Sequence, residues 1–79
     1  MQANDINAAI GKKMMIVSLQ RFAVMQRAAM YVRGLLPGRS IQLLQVSPMG
    51  DPLIIAVGEQ KLAISRETWM QLELQEATV

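Results

Sequence analysis

The sequence has no cysteine and no histidine. The first absence excludes disulfides, iron–sulfur ligation and thiol chemistry. The second excludes more. Without thiolate or imidazole, a transition-metal site must draw on carboxylates, methionine sulfur and backbone oxygens. That donor set suits hard cations or Cu(I) and retains ferrous iron poorly. Aromatics are nearly absent, with one Phe, one Tyr and one Trp. They are too few and too widely spaced to form the stacking platforms of single-strand nucleic-acid binders. The six acids are scattered, with only Glu73 and Glu76 close together. No carboxylate pair is therefore set for general acid–base work, and Ser18, Ser40, Ser47 and Ser65 lack a base to activate them. These absences imply a chain that is not an enzyme and holds no cofactor or metal of its own.

Long apolar runs are missing too. The longest cover residues 28–32 and 53–57, far short of the roughly 20 residues that span a bilayer. No signal-peptide order of basic, apolar and cleavage regions appears at the start. The expectation is a cytoplasmic protein without direct membrane insertion. Net charge is only +2, and the basic residues are spread out rather than gathered into a nucleic-acid footprint.

What is present is apolar. Hydrophobic residues make up 52% of a 79-residue chain, and seven of them are methionine. A single domain of this size leaves about 35–40% of its unfolded surface exposed. Some of that apolar surface must stay outside, and methionine suits adaptable binding surfaces. A docking module is the natural reading.

Along the chain, residues 1–9 read as a flexible lead-in and 10–75 as the folded domain. Gly11 opens a turn into a strand at 14–19, with Met15, Val17 and Leu19 on one face. The periodicity predicts a helix over 22–33 whose stripe of Phe22, Met25, Ala28, Ala29 and Val32 faces the sheet. Ala23, Gln26, Arg27 and Met30 then face out. Gly34 is placed to end the helix in a left-handed conformation. Strands follow at 40–46, 53–57 and 61–65, with Leu62 and Ile64 inward. Ser65 caps a single turn at 66–69, where Trp69 packs, and a last strand covers 70–74. The fold class is all-β: about five short strands closed into a small barrel, with one helix inserted after the first strand.

Two turn motifs punctuate this order. The first is Gly34-Leu35-Leu36-Pro37-Gly38 and the second is Ser47-Pro48-Met49-Gly50-Asp51-Pro52, with Leu62-Ala63-Ile64-Ser65-Arg66 downstream. The ordered set, over about residues 11–74, resembles the FeoA domain, the small SH3-like module of bacterial ferrous-iron transport. The helix segment Arg27-Ala28-Ala29-Met30-Tyr31-Val32-Arg33-Gly34 keeps the family's Arg and Gly and replaces its leucine pair with Met30 and Tyr31. The resemblance implies an SH3-like barrel. It further implies a partner, FeoB, the membrane protein with a GTPase domain that imports ferrous iron, which this chain would dock on and modulate. Two other roles stay open. One is a regulatory SH3-like domain of a metal-responsive system, less expected because no helix-turn-helix segment is present. The other is a small-barrel nucleic-acid binder.

Gly34, Pro37, Gly38, Pro48, Gly50 and Pro52 read as turn formers. Gly34 follows a helix and Gly38 precedes a strand, the reverse of a phosphate-binding loop. The partner-binding candidates are Gln26, Arg27 and Met30 on the outward helix face, with Met49 and Asp51 in the second turn. Arg and Met are both enriched at interfaces. Self-association through the same surfaces is also compatible with the sequence.

Overall fold

Alternation decides what an interior strand buries. In the computed structural model, which describes residues 5–77, Leu53, Ile55 and Val57 of one strand point into the core while Ile54 and Ala56 lie half-buried between them. The elements run α1 (Ile6–Ala9), β1 (Lys13–Ser18), α2 (Val24–Val32), β2 (Ser40–Val46), β3 (Leu53–Val57), β4 (Gln60–Ile64), α3 (Arg66–Gln71) and β5 (Glu73–Glu76). The five strands form one sheet in the order β4-β3-β2-β1-β5. Every neighbouring pair is antiparallel. The main helix, α2, connects β1 to β2, as the sequence predicts.

Two bulges bend the sheet. The β2–β3 register slips between Leu43 and Gln45, and the β1–β5 register slips between Ile16 and Ser18. The extra residues, Leu44 and Val17, point outward and are exposed. Bulges sharpen the local twist, and here they curl five short strands around one core. Ile16, Leu35, Leu43, Leu53, Ile55, Trp69 and Leu72 are fully shielded in it. Trp69 comes from α3, the segment joining the two edge strands.

The tight β3–β4 turn has Gly58 at φ +61 as its first central residue, the position where a two-residue hairpin turn demands glycine. Gly34 and Gly38 likewise sit at positive φ, at +85 and +90. Asp51–Pro52 is a cis peptide bond. Ser47 Oγ donates to the Pro52 carbonyl at 2.7 Å, and the Gly50 N–H donates to the Ser47 carbonyl at 2.7 Å, so the loop is closed by its own residues.

Several expectations need correcting. Residues 6–9, read as part of a lead-in, form the short helix α1; residues 1–4 lie outside the described residues. Asp5 Oδ1 accepts from the N–H groups of Asn7 and Ala8 at 3.1 and 3.4 Å, capping α1. Ile6 and Ala9, three apart and so on one helical face, are buried in the main core. The α2 helix begins only at Val24. Phe22 is buried from the preceding turn, where its N–H donates to the Leu19 carbonyl at 3.0 Å. In β1 the core face is Met14 and Ile16, and Val17 is exposed. The α3 helix runs to Gln71 and displaces β5 to Glu73–Glu76.

Candidate protein-docking surface

The second turn motif is tied to the segment that follows β4. The Arg66 N–H donates to Asp51 Oδ1 at 2.9 Å, and Arg66 Nε donates to the Gly50 carbonyl at 3.1 Å. Arg66 is the first residue of α3, and Ser65 Oγ caps the same helix by accepting from the Thr68 N–H at 3.0 Å. The two sequence motifs are therefore one structural joint. Asp51, expected to face a partner, has one carboxylate oxygen committed to this joint. Met49 stands at the loop apex, 92% exposed, between Pro48 and Gly50.

The α2 helix ends in a Schellman arrangement. The Gly34 N–H donates to the Tyr31 carbonyl at 2.9 Å and the Leu35 N–H donates to the Met30 carbonyl at 2.9 Å. This geometry sets the residue after the glycine against the residue three from the helix end. Leu35 and Met30 are those two residues, and both belong to the core. Met30 is accordingly 8% exposed, which overturns its assignment to the solvent face. Arg27, one turn earlier, is half-buried on the same side. Its Nε is shielded from solvent and has no hydrogen-bond partner. Gln26 is exposed, and its Oε1 accepts from the Ala23 N–H at 3.0 Å, so it closes the start of the helix.

The stripe expected to cover the sheet instead faces away from it. Met25 is 85% and Val32 89% exposed, and Val24, Ala28 and Ala29 are exposed beside them. Of the three helix residues proposed as partner-binding, the structure puts Gln26 into a cap, Arg27 half under the helix and Met30 into the core. Gln26 stays exposed, and of the stripe read as core only Phe22 is buried, while Met25, Ala28, Ala29 and Val32 are exposed.

A hollow of about 510 Å³ adjoins the C-terminal end of α2, walled by Tyr31, Val32, Arg33, Arg39, Gly58 and Glu59. Arg39 reaches across to the β3–β4 turn so closely that a Cβ on Gly58 would lie 2.6 Å from its Nη2. Charge is divided unevenly along the chain. Between residues 6 and 50 there are Lys12, Lys13, Arg21, Arg27, Arg33 and Arg39 and no acid. Five of the six acids lie from Asp51 onward. Among the described residues, no group of three or more His, Cys, Asp or Glu is placed to hold a metal ion. No helix among them is long and apolar enough to cross a membrane.

A five-stranded antiparallel sheet of this order, curled by bulges around one core, is a small SH3-like barrel, the fold of its structural neighbours. The profile of the FeoA domain matches residues 6–76, and the chain belongs to that family. The iron(II) transport protein A of Clostridium thermocellum superposes with a TM-score of 0.82 at 21% identity, over 96% of this chain and 45% of that one. This chain thus spans less than half of that relative's length. The FeoA protein of Chlorobium tepidum gives a TM-score of 0.82 at 19% identity, over 99% of this chain and 71% of the other. A crystal structure of an iron uptake regulatory protein, FeoA, gives 0.69 at 30% identity, over 87% of this chain and 88% of the other. Comparison with curated proteins gave no match.

Proposed function

We propose that this chain is a cytoplasmic accessory of ferrous iron uptake that docks on the cytoplasmic region of a FeoB-like membrane GTPase and modulates it. The family match across residues 6–76 carries this reading. Two of its structural relatives are described as an iron(II) transport protein and an iron uptake regulatory protein, in keeping with that role. The side-chain inventory supports action by contact rather than by chemistry. There is no His or Cys in the sequence, and exposed apolar side chains stand on α2 and at Met49. Iron is the transporter's cargo and need not touch this chain. Docking modulates the transporter only if it favours one of its states over another.

The test is direct. The purified cytoplasmic region of a FeoB from the same organism should be captured by it and should show an altered rate of GTP hydrolysis. Cells lacking this chain should take up less ferrous iron and recover on its re-expression. Failure of capture, together with unchanged uptake, overturns the proposal.

A further inference from the structure

We infer that the outer face of α2, with the hollow at its C-terminal end, receives an acidic amphipathic helix of a protein partner. The inference rests on the reading of this chain as a docking module and adds where it docks and what chemistry it accepts. The orientation of α2 is fixed from below, because Met30 and Leu35 are locked into the core by the helix-ending hydrogen bonds. The apolar stripe cannot be reburied by rolling the helix without pulling Met30 out.

The stripe has the relief of a helix-packing surface. Val24, Ala28 and Val32 form one row four residues apart, with alanine at its middle, and Met25 and Ala29 form the next. Rows of this kind accept the ridge of a second helix. Arg33 lies on one flank of the stripe at 100° per residue, and it continues into the hollow that Arg39 and a single acid, Glu59, also line. No acid lies on α2 or its flanking turns. An apolar stripe with Arg33 and Arg39 at its C-terminal end is complementary to an apolar ridge that carries carboxylates at the matching end, which arginine binds in a bidentate fashion.

The same features disfavour other occupants. A second copy meeting this face across a two-fold axis would bring the two sets of arginines together. A membrane surface is met by an apolar face rich in Trp, Phe or Leu. The α2 helix is about 13 Å long and offers only Val, Met and Ala on this stripe.

The probe is a synthetic helical peptide with a leucine stripe flanked by glutamates, titrated into the isotopically labelled full chain. Its control is the same peptide with lysines in place of the glutamates. The acidic peptide should shift the amide signals of residues 24–34 and 57–60, and the lysine peptide should not. Met25→Gln combined with Val32→Gln should weaken binding about fivefold or more. Both side chains are exposed, so thermal unfolding of that variant should match the parent. Arg33→Glu with Arg39→Glu should reverse the preference toward the lysine peptide.

Four results would overturn the inference: equal binding of both peptides, signal shifts elsewhere, dilution-dependent shifts of α2 without peptide, or a response only to anionic phosphatidylglycerol vesicles. The purified FeoB cytoplasmic region provides the parallel arm. If it binds the Met25, Val32 variant as tightly as the parent, docking on FeoB stands and this surface falls. If it binds neither protein while the acidic peptide binds as expected, the proposed partner falls and this surface stands.

Discussion

Met30 shows how one residue's neighbours outweigh its own pattern. By periodicity it sits among Gln26, Arg27 and Ala23, the polar side of the helix. The left-handed Gly34 and the buried Leu35 decide otherwise, since they fix which helix residue meets the core. Met30→Ala should therefore cost about 2–4 kcal/mol in chemical denaturation, and Met30→Asp should leave no folded protein to assay. Gly34→Ala forces a side chain into a conformation at φ +85 that costs about 1–2 kcal/mol, read as a lowered melting temperature. Asp51→Ala removes the acceptor of the Arg66 N–H and should lower stability by about 1 kcal/mol in denaturant titrations. If Asp51→Ala leaves stability untouched and only weakens partner capture, its role in the joint is refuted.

At the scale of the element, the strands and turns are legible in the sequence because their signals are local. Leu53 to Val57 alternates, Gly58 needs positive φ, and Ser65 caps the helix that follows it, all within a few residues. The docking face is not legible that way. The α2 helix carries apolar side chains on two sides, and the side with more of them is the one left outside. Counting apolar residues picks the wrong face; reading the helix end picks the right one, because Leu35 follows the glycine and must be buried. The α1 helix was missed for a related reason. Four residues are too few for a periodicity, and its signals are a single capping Asp5 and the pair Ile6 and Ala9. Ile6→Ala should destabilise the fold by about 2 kcal/mol in equilibrium unfolding, where a flexible lead-in would show no change.

For the whole molecule, the charge division can be read along the sequence, but the sheet order decides which strands lie side by side. Residues 6–50 contribute α1, β1, α2 and β2 and carry only cations. Five of the six acids come from Asp51 onward, and β5 brings Glu73 beside the end of the first strand, where its Oε1 lies 3.3 Å from Arg21 Nε and accepts from Gln20 Nε2 at 3.2 Å. Arg21 is exposed and Glu73 half-buried beside it, so solvent screens the pair from one side and Glu73→Gln should change the melting temperature little. Capture of an acidic partner should instead weaken steeply as sodium chloride rises from about 50 to 500 mM, because the Debye length shrinks to a few ångströms over that range. Binding indifferent to salt would assign the contact to apolar burial alone.

The joint between the Gly50–Asp51 loop and Arg66 bears on how this domain tolerates exchange. Its two halves are fifteen residues apart along the chain, with β3 and β4 between them. A chimera that transplants only the loop from a relative inherits whichever residue the host carries at position 66. Such grafts should fold well when the arginine travels with the loop and poorly when it does not, so the interchangeable unit here is a hairpin together with the first residue of the helix behind it.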